Sequence, residues 1–191
     1  MTPSAFDEFC RAVFEFLDDA GIRHLVIGGL AVITVGEPRT TGDADVIAFL
    51  EGAEAEELLA EAKKAGYKLS LKAERKSLHE TGTFSIRRGP FHLDVLLASL
   101  PFEEEAYRRA STHKLFGRKL KFPTPEDLIL LKVLAGEAKD MMDAAGVVRR
   151  HGPRLDTRYM ESTLRPICDL AEDMGPWNRL QDVLGGCRRK A

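Results

Sequence analysis

The order of sequence patterns predicts an α+β fold. An amphipathic helix opens the chain, β-type runs crowd its middle, and helix-forming segments close it. At 191 residues the chain has room for one core domain with a helical appendage, and its patterns divide at 122/123 into a core and a C-terminal helical region, 123–191. Hydrophobic residues at 44% and charged ones at 30% are a globular composition, which argues against a largely disordered chain.

Phe6, Phe9, Val13, Phe14 and Leu17 recur at helical spacing ahead of Gly21, predicting a helix over residues 5–20. "RHLVIGG" then reads as a short buried strand, residues 29–35 as a helix, and "GEPRTTG" as the loop that ends it. "DADVIAFL" is the next strand. Glu54 to Lys64 is rich in helix formers with Leu58 and Leu59 turned inward. "YKLSLK", "TFSIRR" and "FHLDVLLA" read as three neighbouring strands, with "KLFGRKLKF" as an added edge strand. Residues 123–152 have proline and acids at the start and basic residues at the end, predicting one long helix. A further helix is expected from Asp156 to Met174, and the tail "GGCRRKA" is expected to fray.

A net charge of −2 excludes nucleic-acid binding by bulk basicity, though local basic stretches such as "RKSLHE", "RRGP" and "FGRKLKF" remain. Cys10, Cys168 and Cys187 are far apart and form no CxxC pair, so neither a disulfide framework nor a zinc site is indicated. With no signal-peptide pattern and no run approaching the roughly 20 apolar residues of a membrane span, a cytoplasmic protein away from the membrane is expected. No GxSxG, GxxxxGK[ST] or HExxH is present, which leaves serine hydrolase, P-loop and zincin chemistry unsupported.

In a strand, residues two apart share a face, so Asp43 and Asp45 stand side by side. Their like charges repel unless a cation sits between them, and oxygen ligands suit Mg²⁺. Asp94 is a third carboxylate in an otherwise apolar run. The plain alternatives are an Asp43 turn cap, an exposed Asp45, and an Asp94 paired with Arg87 or Arg39. The histidines are scattered without ligand spacing, and His92 reads as an ordinary strand residue.

Gly28, Gly29, Ala31, Arg39, Thr40, Thr41, Asp43 and Asp45 in that order, with Asp94 on a later strand, resemble the DNA polymerase β-like nucleotidyltransferase superfamily, above all its minimal and AbiEii-type members. The resemblance spans about residues 22–145. It departs in the long gap from Gly29 to Asp43 and in the small Ala44, and neither departure removes a catalytic group.

What the resemblance implies is a nucleotidyltransferase-like mixed sheet flanked by helices, with C-terminal helices behind it. Gly28 and Gly29 would let a nucleoside triphosphate approach the backbone at a helix N-terminus. Asp43 and Asp45 would hold Mg²⁺, and Asp94 would complete a second ion's position and help deprotonate the attacking hydroxyl. Arg39 would contact a phosphate or clamp Asp94; Thr41 would serve the nucleotide or simply the turn. Lys132 and Asp143, on an expected shared helix wall, match a lysine and acid of AbiEii-like relatives, with Lys139 and Asp140 as less secure matches. A solvated face with a Lys139–Asp143 pair is the rival reading of that stripe. The implied substrates are an NTP and an RNA, tRNA or protein hydroxyl, and the implied setting is a toxin with a cognate antitoxin. An idle binding or antitoxin-type subunit and a metal-dependent phosphohydrolase are the alternatives.

Overall fold

The computed structural model describes residues 4–188. The chain falls into two compact units, Met1–Leu30 with Thr40–Phe122 and Ala31–Arg39 with Pro123–Ala191.

The first unit opens with α1 (Ala5–Asp19). Ser4 caps it by accepting from the Asp7 N–H while the Asp7 side chain accepts from the Ser4 N–H, the reciprocal pair that satisfies two otherwise orphaned donors. Its buried stripe is Phe9, Cys10, Val13, Phe14 and Leu17, at the helical spacing of the sequence. After β1 (His24–Ile27) and the first turn of α2 (Gly28–Val35) come β2 (Ala44–Ala48), α3 (Gly52–Lys64), α4 (Leu71–Thr81), β3 (Thr83–Arg88), β4 (Phe91–Leu97), α5 (Pro101–Arg109), β5 (Ser111–Leu115) and β6 (Arg118–Phe122).

Four strands form one mixed sheet in the order β1-β2-β4-β3. β2 is antiparallel to β1 and parallel to β4, and β3 is antiparallel to β4. Leu25, Val26, Ala44, Val46, Ile47, Phe84, Ile86, Leu93 and Val95 are buried in it. β1 and β2 bury residues on both faces, Leu25 with Val26 and Val46 with Ile47, whereas β4 buries Leu93 and Val95 on one face and leaves Asp94 half-buried on the other. The mixed sheet flanked by helices is the α+β architecture expected.

Several expectations fail locally. "YKLSLK" is not a strand: it contributes one isolated bridge, Lys68 to Arg87, and then runs into α4. Ser70 caps that helix on the Ala73 N–H, and the helix formers that follow outweigh a three-residue alternation. α5 fills the segment between "FHLDVLLA" and "KLFGRKLKF", for which the sequence patterns assign no element. Its Pro101 occupies the first turn and its Glu103 carboxylate accepts from the Ser99 and Leu100 N–H groups at 2.6 and 2.8 Å. "KLFGRKLKF" is no edge strand of the main sheet, because β5 and β6 pair with each other as a separate hairpin that packs against β1 and α1.

The second unit holds the rest of α2, then α6 (Pro125–Ala135), α7 (Ala138–His151), α8 (Thr157–Ala171) and α9 (Gly175–Arg188). The single helix expected over 123–152 is two. Gly136 ends α6 with φ +75°, a left-handed value that suits glycine, and Arg179 lies where its Cβ would be, donating to the Val133 carbonyl at 2.8 Å. Met142 is 74% exposed, and the buried face of α7 is Asp140, Asp143, Ala144, Gly146, Val147 and Val148. The helix expected from Asp156 to Met174 ends at Ala171, and residues 185–188, expected to fray, continue α9. The remainder of that expected tail, 189–191, lies outside the described residues. Among the described residues no helix is long and apolar enough to cross a membrane.

Candidate active site

The register of the sheet builds a transverse polar row. Asp45 of β2 pairs with Ile27 on one side and Asp94 on the other, and Asp94 pairs with Ser85 of β3. Register partners project from the same face, so the Asp45 and Asp94 carboxylates and the Ser85 hydroxyl share one. Ser85 Oγ donates to Asp94 Oδ1, and the Ser85 N–H is held by Glu74 of α4 at 2.8 Å. The row is thus tied down at its outer end by a helix.

His92, two residues before Asp94 on β4, stands on the same face, and Asp43 lies one residue ahead of β2. The His92 ring bridges the acids, with Nδ1 3.2 Å from Asp43 Oδ1 and Nε2 3.3 Å from Asp94 Oδ2. Side-chain exposure is 53% for Asp43 and 37% for Asp94, so both can meet a solute. The sequence reading passed over His92. Its signal was the period of two: in "FHLD" the histidine stands on the face of the aspartate.

Gly28 closes the other side. It has φ +58°, and a Cβ there would fall 1.9 Å from Asp45 Oδ2. Only glycine fits, for both backbone and space. The Asp45 carboxylate therefore lies against the first residue of α2, where amide N–H groups favour negative charge. Gly29 follows, buried, at the second position of the helix. The Thr41 hydroxyl donates to the Asp43 carbonyl at 3.2 Å, shaping the turn into β2.

No protein-family model matches the chain, and no curated protein matches it by sequence. Among solved structures, ANT(2'')-Ia in complex with adenylyl-2''-tobramycin is similar with TM-score 0.58 and 16% identity over 85% of this chain and 98% of that one. An antigenic nucleotidyltransferase-like protein from Paracoccidioides brasiliensis gives 0.52 and 18% over 92% of both chains. The lincosamide antibiotic adenylyltransferase LnuA, lincomycin-bound, gives 0.51 and 14% over 77% of this chain and 98% of that one. The fold is nucleotidyltransferase-like. Identities this low speak for the fold alone.

In the helical unit, the other expected site residues form a largely buried ion cluster. Lys132 Nζ donates to Asp140 Oδ1 at 2.7 Å and lies 3.2 Å from Asp143 Oδ2; Arg39 Nε lies 3.2 Å from Asp143 Oδ1. Lys132 and Asp143 meet because two helices fold against each other at Gly136, and not along one helix wall. Asp143 Oδ2 is buried and has this ion contact without hydrogen-bond geometry, since the ammonium aims at Asp140. Lys139 is 72% exposed and pairs with Glu137 at 3.4 Å, so the Lys139–Asp143 pair of the rival reading does not form.

Among the described residues, no three His, Cys, Asp or Glu side chains stand close enough to hold a metal ion as placed. The donor chemistry nevertheless fits a hard cation: Asp43, Asp45 and Asp94 offer carboxylate oxygens on one sheet face, without thiolate. The Gly28 cradle holds one of them at the helix terminus.

Proposed function

We propose that this protein is a Mg²⁺-dependent nucleotidyltransferase that moves a nucleoside monophosphate from an NTP to a hydroxyl acceptor and releases pyrophosphate. The observation that carries the reading is the register pairing of Asp45 with Asp94 on parallel strands, with the Asp45 carboxylate seated on Gly28 at the head of α2. The similar adenylyltransferase folds support it. Asp43, Asp45 and Asp94 would hold one or two Mg²⁺ ions, which when bound supply charge neutralisation of the triphosphate. The amide groups at Gly28 and Gly29 would face phosphate oxygens. The acceptor oxygen attacks the α-phosphorus, its proton passes to the Asp94 carboxylate, and the bond to the bridging oxygen of pyrophosphate breaks. Ser85 donates to Asp94 Oδ1, which leaves Oδ2, beside the His92 ring, as the oxygen that would take that proton. Arg39 would contact a phosphate, and within the helical unit it pairs with Asp143, which Lys132 also contacts.

An RNA, tRNA or protein acceptor, and a toxin role with a cognate antitoxin, belong to this proposal through the AbiEii-type resemblance. Incubation with each α-labelled NTP, Mg²⁺, and total cellular RNA and protein tests it directly. Label in one macromolecular fraction is expected; no label with any NTP overturns the transfer reading. One observation favours an idle binding subunit instead: the His92 ring touches both Asp43 and Asp94 where an ion would sit. Mn²⁺ binding followed by electron paramagnetic resonance separates the two, since the idle subunit takes up no ion at these acids.

A further inference from the structure

We infer that the outer face of the β5–β6 hairpin binds the phosphate backbone of a nucleic-acid strand. The hairpin's inner face carries Leu120 and Phe122, both buried. Its outer face is set by register: Thr112 stands opposite Lys121, and Lys114 opposite Lys119. Three of the four side chains on that face are lysines, and it carries no acid.

Two lysines directly opposite in a ladder repel one another, which costs stability unless an anion neutralises both. Lys114 and Lys119 are exposed, and among the described residues neither has a hydrogen bond or an ion pair. Three acids of α1 and α5 are already committed. Glu15 and Asp18 of α1 hold Arg118 at 2.5 and 2.7 Å, and Glu104 of α5 holds Arg23 at 2.5 Å. Lys121 is steadied at the far end, its ammonium 4.2 Å from the centre of the Tyr107 ring.

The turn at the near end is unusually defined. Phe116 and Gly117 have φ +51° and +80°, and the Phe116 ring stacks on Phe14 with centroids 6.2 Å apart. A phenylalanine in a left-handed conformation is strained, and its packing on α1 holds the tight turn that brings the two lysines opposite. Lysines two apart on one strand stand about 7 Å from each other, roughly two nucleotide rises of 3.4 Å. The face thus offers a short cationic row matched to a phosphate strand on a molecule whose net charge is −2.

The inference does not rest on the transferase reading, so its test uses neither metal nor nucleotide. Fluorescence anisotropy of a labelled oligouridylate of about 16 nucleotides, titrated with full-length protein in EDTA at several salt concentrations, should show saturable binding. Each phosphate contact contributes about −0.7 to the slope of log K against log salt. Lys114→Gln/Lys119→Gln should therefore reduce that slope by about 1.4 and the affinity about tenfold at ~0.15 M salt, with the thermal midpoint unchanged or raised. Absence of binding at low salt overturns the inference. So does binding undiminished in the double variant, which would leave the lysines as edge protection, and so does binding to phosphatidylserine vesicles but not to the oligonucleotide.

Discussion

The two acid clusters of this chain are built on opposite principles. In the helical unit, Asp140 and Asp143 are nearly sealed, at 5% and 9% side-chain exposure, and Lys132 and Arg39 match them charge for charge. On the sheet, Asp43 and Asp94 stay partly exposed and share one imidazole. A buried carboxylate must be neutralised from within, because an uncompensated charge there costs several kcal/mol. A carboxylate at the open end of a strand has no such need, and its ligands can come from outside.

The difference can be broken most severely at Asp45. Asp45→Ala is expected to reduce nucleotidyl transfer to background while the thermal midpoint stays level or rises, because one of several crowded acids is removed. Transfer preserved in the folded variant would contradict its assignment. Lys132→Ala should do the reverse. It strands Asp140 in the interior, leaves Asp143 with Arg39, and should lower unfolding free energy by about 3–5 kcal/mol in urea titrations. Stability equal to wild type would return that cluster to a purely nucleotide-facing role.

A gentler probe is pH. Burial holds the His24 imidazole below its ordinary range despite the opposing pull of the Ile22 carbonyl and of Asp18. A folded value below the unfolded one means the stabilisation is complete above about pH 6.5 and is lost as pH falls toward the folded value. The denaturation midpoint should thus decline through this acidic window, and His24→Phe should flatten the decline if the ring against Phe14 is its source. Least of all should Lys139→Ala matter. Its ammonium is solvated, and a change beyond about 0.5 kcal/mol or any loss of transfer would show that the exposed end of α7 does more than its contacts suggest.

Much of the sheet was legible because strand periodicity is short and strict. The same period that sets Asp43 beside Asp45 also predicts His92 beside Asp94, yet the ring was read as an ordinary strand residue for want of ligand spacing. α1, α3 and the central strands carried clear apolar patterns. α4 did not: its one buried residue is Leu78, and the alternation of Tyr67, Leu69 and Leu71 imitates a strand. α5 announced itself through Pro101 followed by three glutamates, a signal that was present and unused. The break at Gly136 was hidden by two helices whose compositions run on without a change of character. Register across strands, which makes Asp45 and Asp94 partners, is a property of tertiary pairing and cannot be read from either segment alone.

That pairing has a kinetic consequence. Asp45 and Asp94 lie forty-nine positions apart and join strands that run parallel, so β2 and β4 can meet only after two helices and a hairpin partner have been bridged. Contacts this distant in sequence form late, since the closure entropy is spent before the ladder returns it. The carboxylates accordingly stay separated in any partly folded chain, and divalent-ion affinity should rise only in the last phase of refolding, after helical circular dichroism has already recovered.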